Sequence, residues 1–275
     1  MYFIEKTDKP TAMLKLLKII QIKEDKILLP IEKQINEKVQ IKLAEKTHKL
    51  LQKTNSNKLV LSKEIKKFEI YVNKLHSYGY IIVDGKLLFE ALETNILDFI
   101  TSNKNIKKEE TKLSVLVNDL SDYTLQNIKK LATEYKALNI VTNHLEKFKK
   151  LEDIIYSENG LMITVSNNKK KSLIQSNLIL NIDFPQELIN KYNINDDAII
   201  VSVLDDIKIN KKRFNGLIVN DYEVKTNKYI DEKYYIKELY EAEIYNGIPY
   251  LDLMKKIKDD NVKIKALYGL NGKIF

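Results

Sequence analysis

The stretch from Lys112 to Asp206 constrains the fold of this 275-residue chain most strongly, because short apolar runs alternate there with amphipathic, Lys-rich segments. Five of the runs are rich in β-branched residues and are predicted to be strands: Leu113–Asn118, Leu138–Thr142, Leu161–Ser166, Leu178–Ile182 and Ala198–Leu204. The connections between them are long enough for helices, which parallel strands require. The pattern therefore predicts an α/β fold, with a mostly parallel sheet covered by helices on both faces.

The flanking segments predict further domains. Over residues 1–102, short apolar runs alternate with amphipathic segments, which indicates a smaller N-terminal α/β domain. Residues 103–111 are polar apart from one isoleucine and are predicted to be a linker. The sheet domain would then span residues 112–228. Residues 229–275 are predicted to form a C-terminal helical extension, whose tyrosines either pack on the core or offer a stacking surface to a partner.

Composition restricts the class of function. The chain has 46 basic and 38 acidic residues, a net charge of +8, but its lysines are interspersed with acids along the predicted helices. Interspersed charge favours a solvated surface over a phosphate-tracking stripe, with nucleic-acid binding left as an alternative. No apolar run approaches the roughly 20 residues of a membrane span, and the first residues lack the order of a secretion signal. We therefore expect a cytoplasmic protein without membrane contact.

Small polar or acidic side chains follow every predicted strand. In chain order they are Asn118 and Asp119, Thr142 and Asn143, Ser166 to Asn168, Asp183, and Asp205 and Asp206. In an open parallel sheet, ligands bind outside the carboxyl ends of the strands, so these groups would share one edge. Asn, Asp and Ser are also ordinary strand terminators and helix caps. Both interpretations, a ligand edge and simple caps, stay open.

One part of this edge resembles a known family. The segment Ile140–Leu151 resembles the second strand and following loop of the NAD(P)-binding Rossmann-like domain of shikimate dehydrogenase and glutamyl-tRNA reductase. The resemblance implies that Asn143 and Lys147 select the adenosine phosphate of NADP, with His144 where the family usually has Arg. It also implies that Asp183 stands in place of a hydroxyl in the loop after the fourth strand. It extends over residues 112–206 and leaves both flanks unexplained.

The first loop, Asn118–Tyr123, departs from that family. Dinucleotide sites place Gly-x-Gly-x-x-Gly after the first strand, so that the backbone approaches the pyrophosphate at a helix N-terminus. This loop has no glycine, and its Asp119 and Asp122 would repel phosphate. We therefore expect a degenerate dinucleotide site, and the sequence by itself does not predict a cofactor. NADP remains an alternative, its phosphate held by the side chains of Asn143 and Lys147, with Arg213 as an optional third. Asn118 and Asp119 are further candidate cofactor-binding residues at the same edge.

A second segment offers an anion site. Ser166–Ser172 is predicted to pass from a strand into a short helix and contains three consecutive lysines. Free amides at the helix start would bind phosphate together with Ser166, Asn167, Asn168 and Lys169. The alternative is a solvated basic turn.

Residues suited to catalysis are few. His144 is the one histidine at the predicted edge, where Asp119 or Asp183 would complete a general acid–base pair. Otherwise it is a cap or an exposed side chain. The single arginine, Arg213, lies in a Lys-rich chain typical of an AT-rich genome, in a segment that either reaches over the crevice or forms a basic surface turn. The absence of cysteine excludes a thiolate metal site, and no metal site is predicted.

The sequence thus favours a Rossmann-like protein with a degenerate dinucleotide site and a non-catalytic role in ligand binding, regulation or assembly. Its partner would be a small molecule or a protein. The alternatives are an NADP-dependent oxidoreductase with an atypical phosphate loop, for which Arg213 could assist Asn143 and Lys147, and a basic nucleic-acid-binding protein.

Overall fold

The structure is a computed structural model that describes residues 1–8, 10–31, 34–54, 56–229, 231–244 and 247–275. Contacts group the chain into two compact units. Unit 1 comprises Met1–Gly85 and Asn227–Gly247, and unit 2 comprises Lys86–Thr226 and Ile248–Phe275. The domain bounds expected from the sequence, with a linker at 103–111, stay a prediction. None of the described helices is long and apolar enough to cross a bilayer.

The elements of the first 110 residues are short apart from one long helix. They are β1 (Tyr2–Lys6), α1 (Ala12–Leu17), β2 (Gln21–Lys23), β3 (Lys26–Leu29), α2 (Glu37–Leu51), β4 (Lys58–Leu61), α3 (Lys63–Lys66), α4 (Glu69–Ser77), β5 (Ile81–Ile82), α5 (Lys86–Ala91), α6 (Glu93–Asn103) and a 3-10 turn at Lys108–Glu110.

The elements of the remaining chain begin with alternating strands and helices and end in a hairpin. They are β6 (Lys112–Leu116), α7 (Asp122–Glu134), β7 (Ala137–Val141), α8 (Leu145–Asn159), β8 (Thr164–Ser166), β9 (Leu178–Asn181), α9 (Gln186–Ile189), β10 (Ile199–Ser202), β11 (Leu217–Val219), β12 (Asp221–Lys225), α10 (Ile236–Ile244), α11 (Tyr250–Asp259), β13 (Lys263–Gly269) and β14 (Gly272–Lys273).

Unit 2 is built on a six-stranded sheet in the order β8-β7-β6-β9-β10-β11. Every neighbouring pair is parallel. Counted from β6, the order is 3-2-1-4-5-6, the doubly wound order of Rossmann folds. Strands β9 and β10 are buried at every position, as a sheet with both faces covered requires. The predicted Rossmann-like parallel sheet is therefore confirmed.

Buried polar side chains cross the middle of this sheet. The Asn139 side-chain amide on β7 donates to the Ser114 hydroxyl on β6 at 3.1 Å, and Ser114 lies 2.6 Å from the Ser176 hydroxyl. All three residues are buried. Because buried polar groups are costly without partners, this network ties the strands in one register.

Unit 1 contains a smaller, mixed sheet in the order β2-β3-β1-β4-β5. Strands β3, β1, β4 and β5 are parallel, and only β2 runs antiparallel. Helix α2 begins at Asn36, whose side-chain oxygen accepts from the Val39 amide at 3.0 Å. The core between the sheet and the helices is apolar and includes Ile4, Ile27, Leu43, Leu59, Leu61, Tyr71 and Leu75.

The C-terminal part combines helices with strands. Helices α10 and α11 lie in the region predicted to be a helical extension. Strands β12, β13 and β14 also form an antiparallel sheet, in which β13 is the central strand. Gly272, the first residue of β14, has a φ of +112° directly after the two-residue turn that joins the last two strands.

Candidate functional site

The carboxyl edge of the six-stranded sheet brings together residues from three loops. Strands β7, β6 and β9 are neighbours, so the loops that follow them meet. The Asn118 side-chain oxygen accepts a hydrogen bond from the Asn143 backbone N–H at 2.9 Å. The Lys147 ammonium lies 3.4 Å from an Asp119 carboxylate oxygen. Four residues predicted from the sequence, Asn118, Asp119, Asn143 and Lys147, therefore lie at one site.

Asp183, at the end of β9, makes the most specific contacts of this site. Both of its carboxylate oxygens accept from the Asn118 backbone N–H at 2.8 Å, and one accepts from the Asp119 N–H at 2.7 Å. A carboxylate that bridges two consecutive amides is an anion in a backbone concavity. The amides of the first loop, which a bound phosphate would use, are thus occupied by a side chain of the same unit.

Two opposing effects set the pKa of Asp183. Burial raises the pKa above the usual value for aspartate, and this is the largest effect. The N–H groups of Asp119 and Asn118 and the nearby His144 lower it in part, whereas the negative charge of Asp119 raises it. Asp183 is half-buried, and the backbone donors stabilise the charged form of its carboxylate against this burial.

The N-terminus of α7 is also occupied by an acid. The Ser121 hydroxyl accepts from the Thr124 backbone N–H at 3.0 Å, which caps the helix. The Glu90 carboxylate accepts from the Ser121 hydroxyl and, at 2.9 Å, from the Thr124 hydroxyl. Glu90 therefore lies at the helix start where a pyrophosphate binds in dinucleotide folds. Glu90 could not be predicted as a site residue from the sequence, because nothing in its helical pattern separates it from solvent-facing acids.

A relay of hydrogen bonds joins polar side chains through Asn127 on α7. The fully buried Glu93 accepts from the Asn127 side-chain amide at 3.1 Å, and the Tyr250 hydroxyl donates to the Asn127 side-chain oxygen at 2.9 Å. Burial, and then the charge of Glu90, raise the pKa of Glu93 well above its usual range. The second carboxylate oxygen has no hydrogen-bond partner among the described residues. This cluster could not be predicted from the sequence either, since its members are far apart in the chain.

His144 is not hydrogen-bonded as a catalytic base. Its backbone N–H donates to the Thr142 hydroxyl at 3.0 Å, and the residue precedes α8 as an exposed cap. Its charge lowers the pKa of Asp183, but no hydrogen bond joins their side chains within the described ranges. His144 is therefore near enough to affect the pKa of Asp183, but the two side chains lack the hydrogen bond that a general acid–base pair uses.

The segment from Ser166 to Ser172 lies two strands away from the first loop, after the edge strand β8. The predicted short helix there is wrong, because residues 167–177 contain none. The Asn168 side-chain oxygen accepts from the backbone N–H groups of Lys170 and Lys171 at 3.0 and 3.1 Å. This Asx turn satisfies amides that the predicted anion site needed. Asn167, Asn168 and Lys169 are exposed.

Arg213 belongs to a different edge. It is exposed and lies in the segment between β10 and β11 that leads into the amino end of β11. Asn143 and Lys147 follow the carboxyl end of β7. Because parallel strands place these ends at opposite edges, the suggested assistance of Arg213 to Asn143 and Lys147 is wrong. Across the described chain, no three His, Asp or Glu side chains are placed to share a metal ion.

Comparisons with known proteins give distant structural likeness. No protein-family model and no curated protein matches the sequence. L-Tryptophan dehydrogenase from Nostoc punctiforme is similar at 9% identity and a TM-score of 0.30, over 64% of this chain and 49% of its own. Mitochondrial ornithine carbamoyltransferase from Coccidioides immitis is similar at 10% identity and a TM-score of 0.32, over 79% of this chain and 76% of its own.

A third similar structure is the anabolic ornithine carbamoyltransferase from Campylobacter jejuni, at 8% identity and a TM-score of 0.29, over 75% of this chain and 76% of its own. The chain spans about half the length of the tryptophan dehydrogenase. At these identities and TM-scores, the activities of the three proteins carry no argument for this one, and its function is argued from its own residues.

Proposed function

We propose that unit 2 is a Rossmann-like domain with a degenerate dinucleotide site, used for ligand binding, regulation or assembly rather than hydride transfer. The observation that carries the proposal is the Asp183 carboxylate, which accepts from the Asn118 and Asp119 amides at 2.7–2.8 Å. A dinucleotide phosphate needs those donors. It would have to displace a charged acceptor that the fold already holds in place.

Electrostatics supports the same proposal. A pyrophosphate at the start of α7 would meet the carboxylates of Glu90, Asp119 and Asp122, which lie in or against the first loop. Two like charges 4 Å apart repel by roughly 4 kcal/mol at an effective dielectric constant near 20. One such contact would weaken binding roughly a thousandfold. The exposed pair of Lys147 and Asp119 offsets little of this, because surface ion pairs contribute about 0–1 kcal/mol.

Thermal-shift titration of the full chain tests the proposal. NAD(H), NADP(H) and a panel of nucleoside phosphates are expected to leave the wild-type melting temperature unchanged. The informative variant is Asp183→Ala, which frees the two amides, and its matched control is Asp206→Ala, which removes an exposed acid at the same edge. We expect Asp183→Ala, and not the control, to gain a phosphate-dependent shift.

One outcome would contradict the proposal. If wild type shows a saturable shift with NADP that Lys147→Glu abolishes, the domain is an NADP site of the kind that its resemblance to shikimate dehydrogenase and glutamyl-tRNA reductase implies. Binding to DNA or RNA that weakens steeply with salt would instead support the nucleic-acid alternative.

A further inference from the structure

In the sheet of unit 1, the direction in which the chain adds successive strands reverses between β1 and β4. From β1 the chain passes to β3 on one side, and then crosses to β4 on the other. The loops that leave the carboxyl ends of β1 and β4 therefore diverge and open a crevice. In open α/β sheets, ligands bind at such a switch point. This place is separate from the edge of unit 2 described above.

A cavity of about 300 Å³ lies at this switch point. Its walls include Glu5 and Asp8 around the end of β1, Ser62 and Lys63 after β4, and Lys233 from the second segment of unit 1. A volume near 300 Å³ is at the lower end of the range for ligand pockets, so the cavity fits a small metabolite.

The Ser62 hydroxyl is the first observation that points to a ligand. Ser62 is 3% exposed and lines the cavity, and within the described part of the chain its side-chain oxygen has no hydrogen-bond partner. The residue occupies the cap position before α3, yet its side chain makes no capping bond. Buried hydroxyls are nearly always paired in folded proteins, so this one is available for a bound group.

Lys63 adds a cation to the lining of the same cavity. Its ammonium donates to the backbone carbonyl of Glu232 at 3.1 Å and lies 5.1 Å from the centre of the Tyr235 ring. Both partners are neutral, and no carboxylate pairs with Lys63 among the described ion pairs. The Ser62 hydroxyl and a cation whose partners are neutral line one cavity, a combination that suits an anionic group.

The same cavity is also lined by acids. Glu5 is 6% exposed, and its carboxylate accepts from the Tyr234 hydroxyl at 3.3 Å and lies 3.5 Å from the Lys233 ammonium. Asp8 lies 3.2 Å from the same ammonium. These acids can accept hydrogen bonds from a ligand that also carries a hydroxyl or an ammonium group.

We propose that this cavity binds a small anion-bearing metabolite. Its carboxylate or phosphate group is held by the Ser62 hydroxyl and the Lys63 ammonium, and a hydroxyl or ammonium group of the same molecule faces Glu5 and Asp8. Carboxylate and phosphate share the chemistry that recognises them here, so the test separates them.

The experiment is calorimetric titration of the full chain with five probes. Inorganic phosphate and glycerol 3-phosphate represent the phosphate class, glycine and lactate the carboxylate class, and ethanolamine carries the cation without an anion. Each probe is titrated into wild type, Ser62→Ala, Lys63→Gln and the control Lys67→Gln, which removes an exposed lysine outside the cavity. Circular dichroism confirms that each variant is folded.

The proposal predicts saturable binding of one anionic class. Affinity is expected to fall at least about tenfold in Ser62→Ala and in Lys63→Gln, the usual loss for a hydrogen bond to a charged group, and to be unchanged in Lys67→Gln. Three results would overturn it: no anionic probe binds, all variants bind equally, or ethanolamine binds as well as the anions. None of these depends on whether unit 2 binds a dinucleotide.

Discussion

The Lys66 ammonium lies 2.5 Å from a carboxylate oxygen of Glu238, a side chain that is 2% exposed. The other oxygen of that carboxylate has no hydrogen-bond partner among the described residues. Burial raises the pKa of Glu238 to about 7, although Lys66 and Lys237 lower it in part. An enclosed carboxylate of this kind makes the stability of the protein depend on pH.

Glu238→Gln is expected to remove that dependence. Because the folded pKa is raised, the stabilisation is complete below the unfolded value of about 4.5 and is lost as pH rises through about 7. Across that window, the free energy of unfolding of wild type should fall by up to about 3 kcal/mol more than that of the variant. Urea unfolding at several pH values measures the difference. Glu45→Gln, at an exposed site on α2, should follow wild type.

Asp183→Ala should destabilise the protein at neutral pH. The substitution removes the acceptor of two backbone N–H groups, which are near enough to solvent for water to replace it in part. We expect a loss of about 1–2 kcal/mol in the free energy of unfolding, measured by urea denaturation. Asp206→Ala serves as the control. An equal loss in both variants would mean that the Asp183 contacts are not specific.

Ser62→Ala should raise stability, or leave it unchanged, when no ligand is present. A buried hydroxyl without a partner costs about 1–3 kcal/mol of desolvation, which alanine does not incur. Ser176→Ala offers the opposite case, since it removes a hydroxyl that is paired with Ser114 at 2.6 Å. It should lose about 1 kcal/mol. Thermal unfolding of the two variants gives the comparison, and a marked loss in Ser62→Ala would show that its hydroxyl is satisfied.

Tyr250→Phe should cost about 1 kcal/mol in the free energy of unfolding. The hydroxyl of Tyr250 is the donor to the buried side-chain oxygen of Asn127, which holds Glu93 in turn. Tyr156→Phe is the matched control, because Tyr156 is 60% exposed. Chemical denaturation measures the free energy of unfolding of both variants. If the two variants are equally stable, the relay from Tyr250 to Glu93 contributes nothing measurable.

The sheet of unit 2 could be predicted because its strands carry their own signal. Leu178–Asn181 and Ile199–Ser202 are apolar or small at nearly every position, and this pattern is typical of strands buried on both faces. By contrast, β1 was missed. Its apolar run ends after three residues at Glu5 and Lys6, and the buried Glu5 is contacted by Tyr234 and Lys233 from a distant segment. Such a partner cannot be seen within a sequence window.

Only part of the candidate site of unit 2 could likewise be predicted from the sequence. Asp183 could be placed at the edge because it follows a strand, but its hydrogen bonds reach a loop 65 residues earlier in the chain. Which atoms meet there depends on the register of β6 against β9. The absence of glycine in Asn118–Tyr123 is visible in the sequence, whereas Glu90 and Ser62 became candidates only through their surroundings in the structure.

The two-segment make-up of unit 1 has a consequence for biosynthesis. Residues 1–85 leave the ribosome first, yet Tyr234, which packs with Val60 and Val83 in one core cluster, follows more than a hundred residues later. The whole six-stranded sheet is translated in between. The nascent N-terminal sheet therefore exposes Val60 and Val83 during that interval, and a chain that stalls before residue 234 presents an unfinished apolar face to chaperones.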